Sequence, residues 1–381
     1  MRKVVFAAVT GLVAGCAWAD SGGSSVTSYG IISTGVGYVS NANGHSGLRE
    51  VSGANQNNRW GVSSKEDLGG GLSAIARLEA GLDGTTGASG QSGRMFGRET
   101  SVGLSDTTYG TLTFGRQYDA SWDFFLPLTD GAAGGLLMAP GETENVFGSW
   151  RYNNSVKYRS PEIAGFTGEA LYALSNSDQF TLNRAFNFGL QYAHGPWKVA
   201  TVYTQLDQPG TANPVGAVTN DYAGAPFFLY RESPQGAATL RQRNFFAGGE
   251  YKFGSGITLD AVFNTTRFNY VDGDSLALNN YHLTLSWLVA PGLTVAGSYI
   301  YSTGRWRGAV DAHAHWNAAQ ILVDYAFSRR TDVYAFYDLV RSSGPLESAS
   351  GVPMAVADTY TNTPSDSHTQ NFVVVGIRHR F

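Results

Sequence analysis

From residue 26 to the last residue, the chain repeats segments of about ten residues in which apolar and polar side chains alternate. A period of two indicates β-strands with one apolar face and one polar face. Short and long connections alternate between the segments, and a soluble sandwich has no reason to keep that order. Sixteen strands are predicted, at 26–39, 58–66, 72–82, 96–105, 108–116, 151–160, 165–175, 184–194, 196–206, 241–253, 256–267, 277–289, 292–303, 314–327, 331–341 and 369–381.

The alternation assigns a face to each side chain. In the segment 277–289, Tyr281, Leu283 and Leu285 oppose His282 and Thr284. Strands with an apolar face toward lipid must pair all of their backbone groups, so sixteen of them must close into a ring. The predicted fold is an all-β, sixteen-stranded antiparallel transmembrane β-barrel around a wet lumen. A soluble β-protein with one solvated face is the alternative.

The N-terminus has the features of an export signal. Arg2 and Lys3 precede an apolar core at 4–13, and Ala17 and Ala19 form a small-x-small cleavage site. The predicted organisation is a signal peptide at 1–19 and a single barrel domain at 20–381. A lipoprotein signal is the alternative, because the Val-Ala-Gly before Cys16 resembles a lipobox. Either way, the protein leaves the cytoplasm.

Charge and motifs exclude several functions. The formal charge is −4, and removal of the leader leaves 24 basic and 30 acidic residues, a mild imbalance that makes nucleic acid an improbable partner. Neither Gly-x-Ser-x-Gly nor His-Glu-x-x-His occurs, so an outer-membrane hydrolase is the weaker, enzymatic alternative. His313 and His315 could share one face, but two ligands do not make a metal site. We expect no catalysis, no cofactor and no metal.

One connection between two predicted strands is too long to be a simple turn. Residues 117–149, between two predicted strands, have no regular period, and such a length in a compact domain indicates a functional or disordered segment. Trp122, Phe124 and Phe125 supply enough apolar surface for packing, which argues against disorder. The segment has no Lys or Arg, and its acids are Asp119, Asp123, Asp130, Glu142 and Glu144. We predict that this acidic loop folds into the lumen and constricts it.

Several stretches resemble the trimeric general porins of Gram-negative bacteria, in their β-proteobacterial branch. Among them are KEDLGGGL at 65–72, GRQYD at 115–119, NNSVKY at 153–158 and TDVY at 331–334. Phe381, which ends an alternating strand, resembles the signal by which outer-membrane barrels are recognised for assembly. The resemblance implies an inward third loop, a homotrimer among outer-membrane lipid and lipopolysaccharide, and passive diffusion of small hydrophilic solutes.

Strand parity and the resemblance together predict the pore lining. Parity turns Arg59, Arg77, Arg151 and Lys157 toward the lumen, and Arg98 faces inward by resemblance. The resembling family faces such a basic ladder with an acidic third loop, for which Asp123 and Asp130 are the candidates, and Glu79 is the expected partner of Arg77. Guanidinium groups stay charged beside other cations, so we expect a weak preference for anions. Alternatively, the arginines only pin the loop.

Two further expectations concern the outside of the barrel and the solute. Arg116 shares the parity of Leu112 and Phe114, so we expect it to face outward; a subunit contact explains it better than lipid does. The alternative function is a substrate-selective pore of the same fold for a particular anionic or aromatic solute. In that case Trp122, Phe124 and Phe125 would form an aromatic track.

Overall fold

The computed structural model describes residues 23–129, 137–210, 213–224, 229–359 and 363–381. The predicted signal peptide, 1–19, lies outside these ranges. The described strands are β1 (Ser25–Ala42), β2 (His45–Ser52), β3 (Arg59–Gly69), β4 (Leu72–Gly81), β5 (Glu99–Asp106), β6 (Gly110–Gln117), β7 (Tyr152–Arg159), β8 (Phe166–Ala173), β9 (Arg184–His194), β10 (Trp197–Asp207), β11 (Thr239–Lys252), β12 (Ile257–Tyr270), β13 (Ser275–Ala290), β14 (Leu293–Arg307), β15 (Ala312–Ala326), β16 (Thr331–Ser343) and β17 (Thr369–Arg380).

The sheet closes on itself, as predicted. Each strand pairs antiparallel with its sequence neighbours, and β17 pairs with β1 from Ile31 opposite Arg380 to Val39 opposite Phe372. The closure continues to the last residue, because Gly30 and Phe381 exchange two backbone hydrogen bonds of 3.1 Å. A closed ring leaves no unpaired strand edge in lipid, which is the requirement for a membrane-spanning sheet.

Seventeen strands occupy sixteen positions around the ring. On the same side of β1, β3 pairs with its first half and β2 pairs with its second half. The sixteen-stranded prediction is therefore confirmed, and β2 is an addition within the connection predicted at 40–57. Its sequence, HSGLREVS, has charged residues and a glycine in place of an apolar alternation, so periodicity could not reveal it.

Exposure follows the predicted faces. On β13, Tyr281, Leu283 and Leu285 are 49%, 50% and 48% exposed, whereas His282 and Thr284 between them are buried. The outward apolar residues of the neighbouring strands are exposed in the same way. Such a band of exposed large apolar side chains suits contact with hydrocarbon and not with water.

Strand length differs around the ring, and the connections distinguish the two ends of the barrel. The strands β5 to β8 have 8 residues each, whereas β11 to β15 have 14 to 16. Tight turns join the strands at one end, and the long loops lie at the other, which we call the loop end. The helical segments are short: Gly90–Gly93, Ser121–Phe125, Leu126–Leu128, Pro140–Glu142 and Asn220–Gly224. None of the described helices is long and apolar enough to cross a bilayer.

A pair of adjacent substitutions on β13 tests the assignment of faces. Leu285→Arg places a charge on the lipid side and should lower the free energy of unfolding in lipid vesicles by about 2–4 kcal/mol. Ser286→Arg, the matched control one residue further on, places the same charge on the other face and should cost much less. Equal losses in denaturant unfolding of the two variants would refute the assigned faces.

Candidate functional site

The connection between β6 and β7 packs against distant strands. Its residues Phe124, Phe125 and Leu128 are 0% exposed. They contact Val202, Phe246 and Val262, which lie on β10, β11 and β12, and the rings of Phe125 and Phe246 stack at 4.9 Å. These wall residues alternate with the exposed side chains of the same strands, so the connection packs on the face that points away from lipid.

Polar contacts extend this packing to β13. Asn244 on β11 donates to the Thr143 carbonyl oxygen at 2.9 Å. Glu144 accepts a hydrogen bond from Asn280 at 2.8 Å, and its carboxylate lies 2.9 Å from His282 Nε2. Because β13 is seven positions from β6 in a ring of sixteen, the connection reaches nearly half-way around the wall.

A buried ion pair lies beside the root of this connection. Arg98 is 1% exposed, and its Nε donates to Glu79 Oε1 at 2.7 Å. The other oxygen of Glu79 accepts a hydrogen bond from the Tyr29 hydroxyl at 2.9 Å. Glu79 is on β4, so this carboxylate belongs to the wall. A charged pair with such short bonds is costly to break, because either partner alone would be a buried charge.

Two aromatic rings of the connection lie against Arg98 and Arg151. Tyr118 and Trp122 stack at 4.3 Å. The Arg151 guanidinium lies 4.8 Å from the centre of the Tyr118 ring and donates to its hydroxyl at 2.8 Å, while Arg98 lies 5.8 Å from that ring and 6.0 Å from Trp122. Aromatic faces attract guanidinium groups and hold like charges close together.

Arg59 completes the cluster. It faces Gly81 across the β3–β4 pair and lies within electrostatic reach of Arg98, Arg151 and Glu79. We call Arg59, Arg98 and Arg151 the arginine cluster. Arg98 and Arg59 both interact with the carboxylate of Glu79, and Arg151 lies within electrostatic reach of Arg98, which leaves an excess of positive charge in the cluster.

The other predicted basic residues lie apart from this cluster. Arg77 pairs with Glu99 at 3.3 Å and is largely exposed, so the expected pair of Arg77 with Glu79 does not form. Arg98 already pairs with Glu79, and Glu99 on the neighbouring strand lies close enough to pair with Arg77. Lys157 pairs with Asp123 of the connection at 2.8 Å. Asp130 lies outside the described residues.

The acids of the connection carry less free charge than their number suggests. Burial raises the pKa of Glu142 to about 8, so this carboxyl is mostly neutral at pH 7. Burial also acts on Asp123, but the Lys157 ammonium outweighs it and holds the pKa of Asp123 below its usual value. Glu144 is bonded to Asn280 and His282. Among the described acids of the connection, Asp123 and Glu142 therefore contribute little free negative charge.

Arg116 is bonded within the chain. The pairing of β6 with β7 has a bulge between Gly115, which has a φ of 126°, and Gln117, and a Cβ on Gly115 would meet the Thr100 carbonyl oxygen at 2.1 Å. The Arg116 guanidinium pairs with Asp221 at 2.5 Å, donates to the Gly97 carbonyl oxygen at 2.8 Å and is 8% exposed. The subunit contact of Arg116 stays a prediction.

Several residues of the site were not predicted from the sequence. Tyr118 was visible only as part of a family-like stretch, and Asp221 lies in a loop more than a hundred residues from its partner. Glu169 forms one ion pair with Arg159 at 3.3 Å and another with Lys157 at 3.9 Å, so Arg159 and Glu169 extend the pair of Lys157 with Asp123. Inward parity on adjacent strands was the available signal for these two. His313 and His315 lie on the outer face, and the described residues contain no group of three potential metal ligands.

Comparisons with known proteins agree with this architecture. The model of the Gram-negative porin family matches residues 5–345. Over its whole length the chain is 29% identical to an outer membrane porin protein of Bordetella pertussis and 28% identical to outer membrane porin protein 32 of Delftia acidovorans, and it covers all of both.

Solved structures agree as well. An anion-selective porin from Comamonas acidovorans has 26% identity and a TM-score of 0.71, with 94% of this chain and 100% of that chain covered. The trimer form of OmpT from Vibrio cholerae, at 16% identity, shares the fold with a TM-score of 0.65 and coverage of 94% and 99%. The chain therefore belongs to the Gram-negative porin family: it is a passive channel of the outer membrane and not an enzyme.

Proposed function

We propose that the connection between β6 and β7 narrows the lumen opposite the arginine cluster, and that the pore passes small hydrophilic solutes with a weak preference for anions. The contacts of Phe124, Phe125 and Glu144 with the inward faces of β10 to β13 support the inward position of this loop. The single observation that carries the selectivity is the arginine cluster, in which Arg59, Arg98 and Arg151 lie close together and Glu79 is the carboxylate that Arg59 and Arg98 share.

Local charge decides the sign of the preference. The chain is acidic overall, but a permeating ion responds to the charges at the narrowest level of the pore. There, Asp123 is paired with Lys157 and Glu142 is mostly neutral, so these two acids of the loop offset little of the arginine charge. Anions are attracted along the arginine wall, and cations are disfavoured. The anion-selective porin from Comamonas acidovorans, with 26% identity, is consistent with this proposal.

Membership of the family supports a proposal for the mature, assembled protein. We infer cleavage after residue 19, a single barrel domain at 20–381, and a homotrimer in contact with outer-membrane lipid and lipopolysaccharide. The trimeric form of OmpT supports the oligomeric state by its fold. Phe381 extends the closure of β17 on β1, which supports its role as the assembly signal. Arg116 as a trimer contact remains part of this proposal.

A substrate-selective pore is the second candidate. Phe124 and Phe125 are fully buried, so the aromatic track of the sequence analysis reduces to Trp122. The stack of Tyr118 on Trp122, with the guanidinium groups of Arg98 and Arg151 beside it, favours a flat anion, such as an aromatic carboxylate. Such a solute should block the ionic current at low concentration, whereas a general pore should show no block by any solute class.

Channel activity and the trimer are tested together in planar lipid bilayers. Because three pores enter with each inserted trimer, the purified protein should raise the current in events that resolve into three equal steps. Voltage-driven closure should show the same three levels. The complete absence of conductance at any voltage would contradict the proposed channel. Single uniform steps would contradict the proposed trimer.

A double substitution tests the arginine cluster. Arg59→Ser with Arg98→Ser removes two positive charges from the wall and should lower the permeability ratio of chloride to potassium roughly twofold or more. The measurement is the reversal potential in a salt gradient.

The matched control is Arg329→Ser with Arg330→Ser, which removes the same charge from exposed positions in the turn between β15 and β16. The control should leave the ratio unchanged. If the double variant of the wall behaves like the control, these arginines do not line the conduction path.

A further inference from the structure

The chain leaves the ring for six residues between β2 and β3. The last residue of β2 lies opposite Thr34 of β1, and the first residue of β3 lies opposite Ile31. Segment 53–58 therefore stands opposite only two residues of β1, which is four residues more than a regular ladder would hold. Extra residues on one strand of an antiparallel pair bend that strand out of the ladder.

Polar contacts close the gap that segment 53–58 leaves in the ladder. The backbone N–H of Gly53 donates to the Ser33 carbonyl oxygen at 2.8 Å, and the Ser33 N–H donates to the side-chain oxygen of Asn58 at 2.5 Å. Asn58 also donates to the Ser52 hydroxyl at 2.9 Å. Both backbone groups of Ser33 thus keep a partner, as a strand in a bilayer requires. The interruption is therefore compatible with a closed, membrane-spanning ring.

Segment 53–58 packs on the inner face of the wall. Ala54 is 4% exposed and belongs to one buried cluster with Leu322, Phe336 and Phe372, which lie on β15, β16 and β17. These wall residues alternate with exposed side chains of the same strands, such as Val373, so they point into the barrel. The segment consequently lies inside the ring. Its docking surface follows β10 to β13, on which the connection between β6 and β7 packs.

A tyrosine supports the residue to which the segment is bonded. Tyr334 on β16 crosses β17, and its hydroxyl lies 2.9 Å from the hydroxyl of Ser33 on β1. Gly376 of β17 lies opposite Tyr334 and allows this crossing, because a Cβ on Gly376 would overlap the tyrosine ring. The wall beneath the segment is therefore braced across three neighbouring strands.

Arg378 ties segment 53–58 to this wall. Its guanidinium donates to the side-chain oxygen of Asn55 at 2.8 Å and pairs with Asp332 at 3.0 Å and with Asp324 at 3.2 Å. Asn55 itself donates to Asp324 at 3.3 Å, and Arg380 pairs with Asp332 at 2.6 Å. Two carboxylates thus balance two guanidinium groups. Because Arg378 is 8% exposed, loss of its guanidinium would leave buried carboxylates without their partner.

We propose that segment 53–58 is a second constriction element, which narrows the lumen from the side of β14 to β17, and that Arg378 is its positioning residue. Gln56 and Asn57 are only partly buried, so their neutral amide groups line the passage and limit the size of the solutes that enter it. Arg59 of the arginine cluster follows the segment directly. The proposal uses the channel but not the position of the connection between β6 and β7, so either can fail without the other.

Removal of four residues tests the second constriction. Deletion of 55–58 brings Gly53 and Ala54 opposite the two residues of β1 and restores a continuous ladder. Arg59 stays on the inner face, because the number of removed residues is even. The single-channel conductance should rise roughly 1.5-fold or more, since a wider pore conducts better. Large neutral oligosaccharides should enter faster in liposome swelling.

The matched control removes four residues, 178–181, from the exposed loop between β8 and β9 and should behave as wild type. An unchanged conductance and size limit in the folded deletion variant of the segment would overturn the proposal. So would a change in the permeability ratio of chloride to potassium with an unchanged size limit, because the segment would then act only through Arg59.

Point substitutions test the same element with the ladder intact, and they decide the matter if the deletion variant does not assemble. Asn57→Trp should lower the conductance and slow the entry of oligosaccharides, whereas Gln179→Trp in the exposed loop should do neither. Arg378→Met with Asp324→Asn removes one charge of each sign and releases Asn55, so the size limit should shift as it does in the deletion variant. Arg378→Lys, which keeps the charge, should restore part of the wild-type limit. Wild-type conductance and oligosaccharide entry in Asn57→Trp would contradict the proposal.

Discussion

The structure depends on the cost of an unpaired backbone group in hydrocarbon. A chain that crosses a bilayer as strands has to pair every N–H and C=O group with a neighbouring strand. Here the ring closes through β1 and β17, and the last residue of the chain, Phe381, still exchanges hydrogen bonds with Gly30. Since closure uses all sixteen positions, length and polarity can vary only in the connections and on the inner face. The pore and its selectivity therefore depend on these two places.

The inner face is less uniform than a polar lining would be. On β10 to β12, Val202, Phe246 and Val262 point inward and are buried by Phe124, Phe125 and Leu128 of the loop. A wide barrel leaves interior space that its own wall cannot fill, and the contacts of the loop with these strands form a small apolar core. On the other side of the loop root, the wall carries Arg59, Arg98 and Arg151. The apolar docking surface thus positions the loop, and the opposite surface remains charged.

The sequence predicted those properties that depend on periodicity and failed for those that depend on contacts between distant loops. Strand number, faces and the turn ends follow from a period of two, whereas the lumen position of Arg98 and Arg151 stays a prediction. The predicted pair of Glu79 with Arg77 was wrong. Two inward arginines compete for this carboxylate, and strand register alone does not show which of them binds it. The pair of Arg116 with Asp221 joins the end of β6 to a distant loop and leaves no trace in the strand pattern. The strand β2 was missed because it lacks an apolar face.

The position of the loop in the conduction path can be measured most directly at Trp122. Apart from Cys16, the sequence contains no cysteine, so Trp122→Cys provides a single reactive thiol beside the arginine cluster. Attachment of a bulky, negatively charged thiol reagent should reduce the single-channel conductance and lower the preference for anions. If the labelled pore conducts as the unlabelled pore does, with the same selectivity, the loop does not narrow the lumen opposite the arginines.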